Sequence, residues 1–110
     1  VCGNFFEDGV IGKVQHGPAW WFLDTADGIR AQLDAISSVG LFSRFVGMTT
    51  DSRSILSFVR HDYFRRVVCD MVGLDIELGR MPRDEARALA VLEGLFYRNT
   101  ASYFGWETTC

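Results

Sequence analysis

The chain has 110 residues, 48% of them hydrophobic and 23% charged, with 11 Lys and Arg against 14 Asp and Glu for a net charge of −3. That is about one small domain, apolar enough to bury a core, and its acidic balance argues against a dedicated nucleic-acid or anionic-membrane surface. No apolar run approaches the roughly 18 residues of a membrane span. Cys2, Cys69 and Cys110 lie too far apart for a zinc or redox motif, so a reducing cytoplasm fits best.

Residues 1–12 hold Gly3, Gly9 and Gly12 with Asn4 and Asp8, which is loop chemistry. The chain begins with Val1 rather than Met; it reads as the interior of a longer protein, without a signal peptide. Lys13 to His16 is a short strand candidate, broken by Gly17 and Pro18. Ala19-Trp20-Trp21-Phe22 is an aromatic cluster just past that strand's end. Adjacent side chains cannot face the same way, so one of Trp20 and Trp21 is expected in the core and the other lining an opening. The plainer account is that both only pack. Asp24 or Thr25 can cap a helix whose core stripe is Ile29, Leu33 and Ile36 and whose stop is Gly40.

Leu41 to Met48 is the second strand candidate, with Arg44 near its start and Phe45 and Val46 carrying the β character. About 25 residues, including a helix, separate the two candidates, which is the βαβ crossover pattern and implies parallel strands. Gly47-Met48-Thr49-Thr50-Asp51-Ser52-Arg53-Ser54 follows. Polar chemistry at the carboxyl end of a buried strand is where α/β enzymes keep their sites. If the strand continues through Arg53, Asp51 and Arg53 point the same way and face one ligand together. Otherwise the two bond each other and cap the next helix.

Ile55 to Val72 is the second helix. Leu56, Val59, Tyr63, Val67 and Met71 form its stripe, Phe64, Val68 and Val72 widen it, and Gly73 is its stop. Arg60, His61, Arg65 and Arg66 read as a solvated basic face. A third helix starts at Pro82, uses Leu89, Leu92 and Phe96 as its core face, and ends before Gly105. Two parallel strands and three helices leave sheet edges unpaired on both sides, a physical reason to expect a piece of a larger α/β fold.

The runs Lys13-Val14-Gln15, Trp20-Trp21-Phe22, Leu41 to Met48, Thr50-Asp51-Ser52-Arg53-Ser54 and Arg60-His61-Asp62-Tyr63-Phe64-Arg65-Arg66, in this order, closely resemble the C-terminal part of uronate isomerase (glucuronate isomerase). The likeness extends from about Asn4 to Gly105, and residues 1–110 read as one segment. Thr49, Ile55 and Phe58 stand where Leu, Phe and Tyr are expected, and Asp62 where Glu is usual.

The resemblance implies the amidohydrolase superfamily and a distorted (β/α)8 TIM-type barrel, of which this chain would be the last two strand–helix units plus a C-terminal helix. It implies interconversion of D-glucuronate with D-fructuronate, and of D-galacturonate with D-tagaturonate, in the cytoplasm. The substrate partner is then a hexuronate sugar, and a homo-oligomer is one assembly open to the full-length enzyme. Asp51 matches the superfamily's last-strand aspartate, which binds metal or moves protons; Arg53 matches the family's substrate-binding arginine. The divalent metal, zinc by expectation, belongs to the full-length enzyme. The family's His-x-His pair has no counterpart here, because His16 and His61 lack ligand spacing.

Aldose–ketose isomerisation needs a base, oxyanion stabilisation and a grip on the substrate carboxylate. Asp51 is the candidate proton carrier and metal ligand. Arg53 offers a bidentate fork for a carboxylate, and one of Trp20 and Trp21 would wall off water. Two other readings compete: a different amidohydrolase-type metal enzyme, and a non-catalytic α/β fragment or interaction module. Under every reading the isolated chain is expected to be inactive.

Overall fold

Thr25 opens the first helix. Its hydroxyl accepts a hydrogen bond from the Gly28 amide at 3.1 Å, and Asp27 sets a negative charge in the first turn, complementing the helix dipole. This helix, α1, spans Ala26–Val39. Its predicted stripe of Ile29, Leu33 and Ile36 is buried. The computed structural model describes residue 9, residues 12–18 and residues 23–106. Trp20 and Trp21 lie outside the described residues.

The second helix begins in a 3-10 turn, Ile55–Phe58, where the Ser54 hydroxyl accepts from the Leu56 amide at 3.3 Å. It continues as α2, Val59–Glu77. Phe64, Val67, Val68 and Val72 are buried, whereas Leu56, Val59 and Tyr63 from the predicted stripe are exposed. Gly73 does not stop this helix. A lone glycine costs a helix only about 1 kcal/mol, too little to end one held by packing. The stop is Gly79 at φ +73. There the Gly79 amide bonds the Ile76 carbonyl at 3.2 Å and the Arg80 amide bonds the Asp75 carbonyl at 2.8 Å, closing the carbonyls that a helix end leaves open.

Asp84 caps the third helical run by accepting from the Arg87 amide at 3.0 Å. The run comprises α3 (Glu85–Glu93), a wide π turn (Gly94–Arg98) and α4 (Asn99–Phe104), and ends at Gly105 with φ +66. The extra residue in the π turn rotates the faces on either side of it. Ala88, Gly94, Leu95 and Ala101 therefore turn inward, Leu92 and Phe96 are half-buried, and Leu89 faces solvent. Ile29 and Leu33 of α1, Phe64 and Val68 of α2, Leu95, and Phe45 from the connecting segment fill the centre. Each such burial is worth about 1.5–3 kcal/mol against exposure.

The predicted α/β arrangement is overturned. Among the described residues there is no β-strand, so the last two strand–helix units of a TIM-type barrel are not found. Lys13 to His16 runs as bend and loop. Leu41 to Met48 divides into a 3-10 turn, Phe42–Arg44, and an extended stretch beginning at Phe45. The reason lies in the backbone hydrogen bonds. Asn99 Nδ2 donates to the carbonyls of Ser43 and Phe45, both at 2.9 Å. The Thr100 hydroxyl donates to the Val46 carbonyl. Gln15 Oε1 accepts from the Val46 amide and its Nε2 donates to the Arg44 carbonyl, each at 3.0 Å. Side chains from two directions thus take the places that flanking strands would fill, and the backbone is satisfied without a ladder. Phe45 and Val46 have β-like composition because they fill a half-buried surface, which is what β-propensity largely measures.

Candidate functional site

Gly47 carries the chain away from this clamp. Its φ is +84, and a Cβ built on it would lie 2.3 Å from the Leu95 carbonyl oxygen, so glycine alone fits this crossing. Four residues on, Asp51 takes φ +45, the one positive value at a non-glycine position among the described residues. Aspartate tolerates that conformation better than most residues. The backbone is therefore not extended at Asp51, and the alternation that would aim Asp51 and Arg53 at one ligand does not apply. Both lie exposed on the loop between Gly47 and the 3-10 turn. The ion pairs among the described residues do not include one between them, and the turn that follows is capped by Ser54 rather than by either.

Arg60 holds this loop in place. Instead of joining a solvated face, its guanidinium pairs with the Asp24 carboxylate and donates to the Thr50 carbonyl at 2.6 Å. The Asp24 side chain is only 7% exposed, so its charge needs this partner. One guanidinium therefore ties the residue before the α1 cap, the residue before Asp51 and the first turn of α2. Sequence carried one hint. A cation in the first turn of a helix opposes the dipole, so Arg60 needs a specific partner. Gln15 and Asn99 gave no comparable signal, since a polar residue beside an apolar run looks the same whether it clamps a neighbour or faces water.

The two histidines are separate. His16 is exposed, with Nδ1 2.9 Å from the Gly17 carbonyl and 3.2 Å from Gln32 Nε2. His61 is half-buried on α2, its ring 6.1 Å from Phe64. Burial lowers its pKa below 6.5, and the Arg65 charge one turn along lowers it further. Among the described residues no group of three or more His, Cys, Asp or Glu side chains is placed to hold a metal ion. They do not by themselves build the divalent-metal centre that the resemblance implies. No helix among them is long and apolar enough to cross a membrane.

The loop thus carries Asp51 and Arg53, both exposed, on a support fixed by Gly47 and Arg60. A family model described as glucuronate isomerase matches residues 1–104, and the chain belongs to that family. It is 51% identical over 105 residues to the uronate isomerase of Bacillus subtilis, covering 94% of this chain and 22% of that protein. It is 51% identical over 109 residues to the uronate isomerase of Halalkalibacterium halodurans, covering 99% of this chain and 23% of that protein. For the uronate isomerase of Geobacillus thermodenitrificans the identity is 53% over 104 residues, or 94% of this chain and 22% of that protein. The chain spans less than a quarter of the length of these curated relatives.

Proposed function

We propose that this chain supplies the Asp51–Arg53 segment of a uronate isomerase, as the C-terminal part of an enzyme interconverting D-glucuronate with D-fructuronate and D-galacturonate with D-tagaturonate. The observation that carries this reading is the family match over residues 1–104. The exposure of Asp51 and Arg53 on one loop supports it. Arg53 grips the hexuronate carboxylate through its planar fork. Asp51 moves the proton between carbon 2 and carbon 1. A divalent metal, zinc by expectation, would take Asp51 as one ligand and draw the others from outside the described residues.

The test follows ketose formation from D-glucuronate, with zinc added, by the chain alone and by a uronate isomerase of the relatives' length carrying this segment. Turnover is expected only from the longer protein. There Asp51→Asn lowers kcat by about 10²-fold or more, the usual scale for a proton-transfer group, while Arg53→Lys acts mainly on KM. Turnover by the isolated chain, or an Asp51→Asn enzyme as fast as its parent, would overturn the assignment. Hydrolysis in place of isomerisation would select a different amidohydrolase-type activity.

A further inference from the structure

Asp51 holds a backbone conformation that a non-glycine residue keeps only where its surroundings impose it, with φ at +45. The Thr50 carbonyl belongs to the rigid peptide plane that leads into Asp51, so whatever fixes that plane fixes φ at Asp51. Two side chains hold this carbonyl. Arg60 Nη1 donates to it at 2.6 Å, and the hydroxyl of Ser52, the residue after Asp51, donates to it at 3.3 Å. The Arg60 bond is the shorter of the two and its donor is charged, which makes it the stronger. The other terminal nitrogen of Arg60, Nη2, pairs with the carboxylate of Asp24, whose side chain is only 7% exposed. That buried charge keeps the guanidinium where it is, because Asp24 left unpaired would be costly.

We propose that Arg60 is a positioning residue of the isomerase site: by holding the Thr50 carbonyl it sets the conformation of Asp51, and so the direction in which that carboxylate meets the sugar. The inference rests on the function proposed above and adds to it a residue that acts through Asp51 rather than on the substrate. Proton transfer is exacting in distance and direction, and a displacement of about 1 Å can cost on the order of 10²-fold in rate. The planar guanidinium suits the task, since it spends one nitrogen on Asp24 and another on Thr50. Lysine would keep a positive charge beside Asp24, but its single nitrogen cannot stand at both points.

The experiment uses a uronate isomerase of the relatives' length carrying this segment, and asks whether Arg60 works through Asp51. Arg60→Lys is made in the parent and in the Asp51→Asn enzyme, and kcat and KM for D-glucuronate are measured for all four proteins with zinc added. In the parent, Arg60→Lys is expected to lower kcat about tenfold and to leave KM within about twofold. In the Asp51→Asn enzyme, which has lost the group being positioned, the same change should lower kcat by less than about twofold. A residue that only stabilises the fold would act alike in both backgrounds. Asp24→Asn, which keeps the shape and removes the charge, should show the same pattern with a smaller fall, and it carries the test if Arg60→Lys lowers the yield of folded protein. Equal factors in the two backgrounds, or an unchanged kcat in the parent, overturn the positioning role and leave the proposed function standing. An Asp51→Asn enzyme as fast as its parent overturns the function, and the positioning role falls with it.

Discussion

Phe64 and Leu56 sit two turns apart on one helical run, and they differ completely in what surrounds them. Phe64 is 2% exposed and Leu56 83%. Phe64 meets α1 and the Phe96 ring, 6.3 Å away edge to face. Leu56 lies in the 3-10 turn that opens the run, three residues after Arg53. The same contrast divides the molecule. One region is a helical core that satisfies itself. The other, from Thr49 to Val59, carries the polar groups of the proposed site and the most exposed of the large apolar side chains among the described residues, Ile55, Leu56, Phe58 and Val59, and is fixed mainly at Gly47 and Arg60.

The comparison is sharpest under truncation. Phe64→Ala should destabilise the chain by about 3–5 kcal/mol, the range for removing a buried aromatic ring. Leu56→Ala should stay within about 0.5 kcal/mol, as exposed substitutions do. Urea unfolding of both variants checks this. Equal losses would mean that Leu56 is already covered within this chain, and the division into two regions would fail.

Gly47→Ala tests the boundary between them and comes next in size. It adds a left-handed backbone penalty to a Cβ contact of 2.3 Å with the Leu95 carbonyl, together about 2–4 kcal/mol. That carbonyl is backbone in the π turn and cannot swing aside as a side-chain end would. A neutral Gly47→Ala, read by the same unfolding curves, would show that loop and core are not locked at this crossing.

How far the sequence foretold this follows from the same contrast. Helical periodicity is a local property, so α1, its Thr25 cap and its three core residues were legible, as were the Gly105 stop and the inner part of the α2 stripe. Which end of that stripe is covered depends on neighbours, so Leu56, Val59 and Tyr63 were assigned to the core wrongly. The third run was misphased because a π turn leaves no mark on a 3.6-residue pattern, and Leu89 was exchanged for Ala88 and Leu95. The strands failed for a further reason. An apolar segment packed into a core reads alike whether strands or amide side chains such as Gln15 and Asn99 satisfy its backbone. For the site, Asp51 and Arg53 were found as a motif, but the backbone twist at Asp51 and the Arg60 tie depend on contacts with Asp24 and Thr50 that no spacing rule reports.

The smallest expected effect probes the seam itself, at His61 in the first turns of α2. Its pKa is lowered in the fold, first by burial and then by Arg65, from an ordinary value of 6.5. The unfolded chain therefore binds a proton at a pH where the folded chain resists it. Stability rises with pH wherever the unfolded state holds more protons, so this contribution is complete above about pH 6.5 and is lost as pH falls through the lowered value. Melting temperature should drop on acidification from about pH 7 to about pH 5, and His61→Gln should flatten part of that slope. A His61→Gln profile that superimposes on the parent would show that His61 titrates as it does in the unfolded chain. The exposed region would then extend past Val59 through His61, up to the turn that Phe64 anchors, and the seam would move with it.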